Sequence, residues 1–390
     1  MSTRLKELAT LVTACSDSSE RPYVALEHVG SGTGKLLPNS DLIDRQPPEA
    51  GAASVEVGDV LFGKLRPYLA KSWLVDRRAY ASTELLCLRP GKGIDSRWLS
   101  YVVASRPFVD WAVATSDGTK MPRTSWEKLA EFRVVCPGLV DQRAVADYLD
   151  AETARIDALI EKKSRMIELL QSRFGAWREQ IMISDIRVTW IPLHHLTDPR
   201  RPIVYGIVQA GDEVPNGVPY IKSGDVLDLQ SEGLSRTSPE IDESYRRARV
   251  HPGDIVIAMR ASIGAVVIVP PDLPTANLTQ GTARVAARHG IDSEWLFHAL
   301  RCRAVQEQCE VRAVGTTFKT LNIWDLRRVN IPTPIKDQQH LLAERVGAAD
   351  ASVVGGVETL SRQIDLLTER RQAMITAAIS GELEVPGVAA

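Results

Sequence analysis

No stretch of about 18 consecutive apolar residues occurs anywhere in the 390-residue chain, so the helical length needed to cross a hydrocarbon core is missing and no membrane partner is expected. The opening "MSTRLKELATLV" has no signal-peptide apolar core either, which makes cytoplasmic residence the default expectation. Cysteine is sparse. Cys15, Cys87, Cys136, Cys302 and Cys309 are odd in number and widely scattered, a poor basis for a disulfide framework. Neither sign of charge dominates: 47 Lys and Arg against 49 Asp and Glu leave a net charge of -2, which neither demands nor forbids a nucleic-acid partner because the relevant field is local.

The motifs of independent chemistry are missing too. "GSGTGKL", Gly30 to Leu36, looks like a phosphate loop, but Val29 stands where the first glycine belongs and Leu36 where a magnesium-binding hydroxyl belongs. His194 and His195 are adjacent and so do not share a helix face, and His298 with Cys302 supplies only two groups of a zinc set. No glycine-rich dinucleotide turn and no Asn-Pro-Pro-aromatic segment is found. No metal or cofactor is therefore expected on this chain. A composition of 44 % hydrophobic and 25 % charged residues is that of a globular protein with room for two or three domains.

What the sequence does contain is itself, twice. "VGDVLFGKLRPY" at Val57 is echoed by "PGDIVIAMRASIGAV" at Pro252, each a Gly-Asp turn launching a short apolar run toward an Arg. "SDGTKMPR" at Ser116 is echoed by "AVGTTFKTLN" at Ala313, setting Gly118-Thr119 opposite Gly315-Thr316. "WEKLAEFRVVCP" from Trp126 matches "IWDLRRVNIPTP" from Ile323, and Asp141-Gln142 faces Asp337-Gln338. "RPYVAL" at Arg21 pairs with "VPYIKS" at Val218, and "RLKEL" at Arg4 with "IPLHHL" at Ile191. From the Gly-Asp turns onward the offset stays between 195 and 197, too long for a solenoid unit, so each copy is expected to be a domain plus an attachment. Short β-rich runs alternate with turns in each copy, and "DSRWLSYVVAS" and "DSEWLFHALRCRAVQEQ" read as helices with Asp95 and Ser96, and Asp292 and Ser293, positioned to cap them. Both domains are α+β by this pattern.

Each copy ends in a long helical pattern. Ile156, Ile160, Lys163, Ile167, Leu170, Phe174, Trp177 and Ile181 advance in steps of four and three, with the Lys as the one break. Adding 197 gives Val353, Val357, Leu360, Ile364, Leu367, Arg371, Met374 and Ala378, with the Arg at fault. Burying the two stripes against each other is the expected solution. Ile156 to Ile181 spans about 38 Å at 1.5 Å per residue, close to one turn of B-form DNA.

These ordered, duplicated motifs resemble the DNA-specificity subunit of a Type I restriction-modification system over nearly the whole chain. The resemblance implies an α+β architecture in which two repeat-related target recognition domains are separated by a two-helix antiparallel coiled-coil spacer. Boundaries follow: 1–145 and 185–342 as recognition domains, 146–184 and 343–385 as spacer helices, and 386–390 as a flexible tail. It further implies a non-catalytic subunit that reads the two halves of a split, asymmetric sequence in double-stranded DNA. Its partners would be two modification subunits, which bind S-adenosylmethionine and methylate adenine, and endonuclease-translocase subunits consuming ATP with magnesium.

Lys64, Arg66, Lys120 and Arg123 in the first domain and Arg260, Arg312 and Lys319 in the second are the expected DNA contacts. Period-two spacing puts Lys64 and Arg66 on one strand face, and the Gly-Asp turns give Arg66 and Arg260 matching places. The competing readings are a self-sufficient DNA-modifying enzyme, which would methylate without partners, and a coiled-coil scaffold, which would show no salt-dependent duplex binding.

Overall fold

The computed structural model describes residues 2–13, 20–37, 42, 44–45, 51–315 and 319–388. Cys15, Thr316, Phe318 and residues 389–390 of the expected tail lie outside them. The chain divides into two compact units, one of Met1–Ser164 with Ser361–Ala390, the other of Arg165–Leu360.

In the first unit the chain runs β1 (Ser2–Arg4), α1 (Leu5–Leu8), β2 (Ala9–Leu11), β3 (Arg21–Val24), β4 (Asp44–Arg45), β5 (Ala53–Val55), β6 (Val60–Gly63), β7 (Ser72–Leu74), β8 (Ala79–Ala81) and β9 (Leu85–Pro90). Helices α2 (Ser96–Ala104), α3 (Arg106–Ala114) and α4 (Trp126–Leu129) follow, then β10 (Arg133–Val135) and the long α5 (Leu139–Glu179), which continues into a π turn. Two four-stranded sheets, ordered β2-β9-β6-β7 and β4-β3-β8-β5, and the β1-β10 pair make up its β structure. Fully buried β6, whose four residues all face core, is the central strand of the first sheet.

The second unit repeats the main elements of this plan, with isolated bridges at Thr197 and Val250 where the first has β2 and β5: β11 (Thr189–Pro192), α6 (Leu193–Leu196), β12 (Val218–Ile221), β13 (Arg236–Thr237), α7 (Pro239–Ser244), β14 (Ile255–Ala258), β15 (Val266–Ile268), β16 (Asn277–Leu278) and β17 (Thr282–Val285). It closes with α8 (Ser293–Leu300), α9 (Arg303–Arg312), α10 (Ile323–Arg327), β18 (Asn330–Thr333) and α11 (Lys336–Ser380). Register shows the equivalence directly. Parallel pairing sets Tyr23 against Tyr80 in the first unit and Tyr220 against Asn277 in the second, both 197 apart. Sheets β15-β14-β17 and β13-β12-β16 and the pair β11-β18 complete the second unit.

Asp95 and Asp292 cap α2 and α8, each accepting the backbone N–H of a Trp, Trp98 at 3.2 Å and Trp295 at 2.9 Å. A buried glutamine on the first turns of each long helix then locks the cap in place: Gln142 Oε1 accepts the Asp95 N–H at 2.8 Å, and Gln339 Oε1 the Asp292 N–H at 3.0 Å. The structural mate of Gln142 is thus Gln339, not Gln338. The long helices begin at Leu139 and Lys336, seven residues before the expected 146 and 343, directly after the prolines at 137 and 334 that close the preceding segments. Val385 and Val388 pack on the first unit's core, so that part of the expected tail is held.

Along α5 and α11 every stripe position from Ile156 to Ile181 and from Val353 to Ala378 is buried or half-buried. The pairing is antiparallel in both units. In the first, Lys163 Nζ donates to Gln363 Oε1 at 2.6 Å and Asp157 lies 3.0 Å from Arg371. In the second, Leu170 packs beside Gly356, and Phe174 and Trp177 join Val353 in one core cluster.

The two breaks in the stripe have separate explanations. Lys163 reaches its amide partner at the seam edge, whereas Arg371 is buried: it donates to the Gly32 carbonyl at 3.0 Å and the Thr33 carbonyl at 2.9 Å, and its Nε, which makes no hydrogen bond among the described residues, forms an ion pair with Asp157. Lys35 joins the same Asp157 at 2.6 Å. The "GSGTGKL" turn is therefore a clasp on the paired helices of the first unit.

Candidate nucleic-acid interface

The Gly-Asp turns are the foundation of both faces. Gly58 and Gly253 adopt φ of 93° and 84°, a left-handed conformation that favours glycine. The following Asp is buried and closes its own turn, Asp59 accepting the Glu56 N–H at 2.9 Å and Asp254 the His251 N–H at 2.8 Å. Each is neutralised by a two-pronged arginine: Arg89 on Asp59 at 2.8 and 2.7 Å, and Arg201 on Asp254. These arginines do not occupy matching positions, so the sequence pattern did not reveal them. The duplicated Gly-Asp is an architectural device that aims the central strand.

That strand ends before the basic residues. β6 stops at Gly63 and β14 at Ala258, after which the backbone turns and is pinned by the Gly-Thr segment. In the first unit the Thr124 N–H donates to the Lys64 carbonyl at 3.0 Å and the Arg66 N–H to the Pro122 carbonyl at 2.7 Å, making a bridge between Leu65 and Arg123. In the second, the Leu321 N–H donates to the Met259 carbonyl at 2.9 Å and Arg260 bridges to Thr320.

The expectation that Lys64 and Arg66 share a strand face is corrected by this geometry, because Arg66 has φ of 51° and the extended alternation ends before it. So is the pairing of Arg66 with Arg260. Leu65 and Arg260 are the matched bridging residues, and the mate of Arg66 is Ala261, also left-handed at φ 58°.

Lys64 and Arg66 nonetheless flank the Leu65–Arg123 bridge in the first unit, and Lys120 lies in the loop that the Asp117–Arg123 bridge closes. Arg66 and Lys120 are exposed, and Arg123 is held by Glu84 at 2.9 Å. In the second unit Arg260 and Lys319 are exposed beside the Thr320 bridge, with Arg260 3.5 Å from Gln280 Oε1. Arg312 turns back to donate to the Gln308 carbonyl of its own helix at 3.0 Å, which makes it the least available of the set.

Residues 208–359 match the family model described as the Type I restriction modification DNA specificity domain. The chain is 24 % identical over 297 residues to the Type I restriction enzyme EcoBI specificity subunit of Escherichia coli, covering 69 % of this chain and 62 % of that one. It is 22 % identical over 361 residues to the putative type I restriction enzyme MjaX specificity subunit of Methanocaldococcus jannaschii, covering 84 % and 79 %. The chain is thus similar to Type I specificity subunits, and its residues 208–359 match their DNA specificity domain.

A solved structure concerned with complex assembly and conformational transition of the type I R-M system shares the fold, with a TM-score of 0.72, 20 % identity and 98 % of each chain covered. The chain spans 62 % of the length of its Escherichia coli relative. The family model falls on the second copy.

His194 and His298 both lie in the second unit. His194 Nδ1 lies 2.8 Å from the Arg327 carbonyl. His298 is buried on α8, and its Nδ1 has no hydrogen-bond partner among the described residues. Burial pushes its pKa from 6.5 down to about 4, with Asp350 opposing the shift and Arg301 and Arg178 adding to it. Because the unfolded histidine binds its proton more tightly, the stability contributed by the neutral ring is complete above about pH 6.5 and is lost as pH falls toward 4. The expected loss across that window is on the order of 2–3 kcal/mol. Thermal unfolding between pH 7 and 4 checks it: His298→Gln should flatten the decline, and an equal decline in the variant would remove His298 as its source.

Proposed function

We propose that this chain is the non-catalytic DNA-reading subunit of a Type I restriction-modification system. What carries the reading is the duplication: each unit sets an exposed cationic loop, pinned by its Gly-Thr segment, at the end of a buried central strand, in a chain whose second copy matches the Type I DNA specificity domain. Residues 1–145 and 185–342 act as recognition domains for the two halves of a split, asymmetric duplex sequence. The paired helices α5 and α11 set the unread gap between the halves. Adenine methylation, with S-adenosylmethionine, belongs to two modification subunits, and ATP- and magnesium-dependent restriction to endonuclease-translocase subunits, all in the cytoplasm.

Reconstitution with the modification partner and mapping of methylated adenines tests this directly. A split motif with a constant spacer is the expected result; methylation by the purified chain alone, or duplex binding indifferent to salt, would overturn it. Arg66→Ala should weaken binding only to duplexes carrying one half-sequence and Arg260→Ala only to those carrying the other, by about 1–3 kcal/mol for a bidentate base contact. Uniform weakening across all duplexes would reassign either residue to the phosphate backbone.

A further inference from the structure

Beside the Arg260 loop of the second unit opens a cleft of about 430 Å³, walled by Val204 and Tyr205 on one side and by Glu243, Tyr245, Arg246 and Arg247 on the other. The run "SYRRARV", Ser244 to Val250, that supplies the second wall has no role in the faces described above.

Its charges are unevenly matched. Asp242 is buried and committed to Arg249 and to Asn277, whose side-chain amide donates to it at 2.8 Å. Glu243 is shared between Arg249 at 2.6 Å and Arg246 at 3.2 Å. Arg247 is exposed and has no acidic partner among the described residues. One carboxylate, already divided, therefore faces two guanidinium groups at the cleft.

The opposite wall supplies a hydroxyl donor. Tyr205 Oη accepts the Ile323 N–H at 3.3 Å, which leaves its own proton free to donate elsewhere. Tyr205 is fixed from behind as well, since the strand-like segment it begins bridges to Ala283 and, through Ile207, to Thr279. The next residue on that path, Gln280, donates its N–H to the Ile207 carbonyl at 3.0 Å and presents its side chain to Arg260. The segment that carries Tyr205 is thus joined through Gln280 to the Arg260 loop.

We propose that this cleft is a phosphate subsite for the backbone of duplex DNA, an inference that rests on the DNA-recognition reading above. Two flexible, adjacent arginines and one hydroxyl suit a charged tetrahedral oxygen cluster. They do not form the rigid planar fork that discriminates base edges.

The test uses the full chain, duplexes carrying native or scrambled halves, and a salt titration. Arg246→Gln with Arg247→Gln should lower affinity roughly tenfold or more for every duplex and reduce the slope of log affinity against log salt by about two, while half-sequence preference is retained. Tyr205→Phe should lower affinity for every duplex by a smaller factor without changing that slope. Unaltered affinity and slope in the double variant, or a change of sequence preference instead of a uniform loss, would overturn the subsite. Absence of salt-dependent duplex binding by the unaltered chain would instead sink the recognition reading beneath it. Both arginines are exposed, and an unchanged unfolding temperature certifies that each comparison is between folded proteins.

Discussion

Arg371→Ala is expected to destabilise the first unit by about 3–5 kcal/mol, the range for removing one partner of a buried ion pair. Two carbonyls, of Gly32 and Thr33, lose their donor and the Asp157 carboxylate loses its ion-pair partner. The methylene stem leaves a void in the seam besides. Asp157 keeps Lys35, but that contact lies at the exposed edge and is worth little alone. The loss should appear as a lowered first transition in thermal or urea unfolding, with the second unit's transition in place. Arg371→Met, which restores volume but not donors, separates packing from charge. If Arg371→Met matches the unaltered chain, the clasp contributes nothing beyond filling space.

Gly206→Ala should be nearly as costly to the second unit, about 3–4 kcal/mol, and for a different reason. A β-carbon there would sit 1.9 Å from the Leu278 carbonyl oxygen and 2.1 Å from its carbon, both backbone atoms of a buried strand that cannot rotate aside. The strand-like segment 205–207 must then lift away from Thr279 and Ala283, which carries Tyr205 out of the cleft wall. Hydrogen exchange should show the amides of Ile207 and Gln280 losing protection before those of β14. Retained protection at both, with normal stability, would mean that the backbone there yields more easily than its packing implies.

The arrangement of elements could be read from the chain because it is stated twice: Asp95 and Asp292 as caps, the Gly-Asp turns, and the helical stripe each had a second copy to check against. The helix seam was the clearest of these, its steps of four and three appearing as alternating burial along α5 and α11. The same reasoning stumbled where long-range partners decide the outcome. Arg371 looked like a flaw in the stripe because its acceptors at Gly32, Thr33 and Asp157 are remote in the chain. Arg66 and Arg260 looked equivalent because both follow a Gly-Asp turn, but the register drops to 195 there and aligns Arg66 with Ala261. In the site, Lys64, Arg66, Lys120 and Arg123 could be nominated by charge and order, whereas the claim of Glu84 on Arg123 depends on a neighbouring strand and is invisible to spacing. Tyr205 and the Arg246-Arg247 pair escaped notice because they meet only in three dimensions.

The way each unit draws on the chain also sets the order in which the protein can be made. The second unit is continuous from Arg165 to Leu360, while the first is assembled from Met1–Ser164 and Ser361–Ala390. Ile375, Ala378, Val385 and Val388 belong to the first unit's core. On the ribosome, at roughly 5–20 residues per second, residues 165–360 take about ten to forty seconds to emerge before those side chains exist. Throughout that interval the apolar edge of Val145, Leu149 and Ile156 waits without its mate, although its own strands and helices were synthesised first. The unit whose larger part is synthesised first is thus the one that finishes folding last, and chaperone demand should fall on nascent residues 1–164.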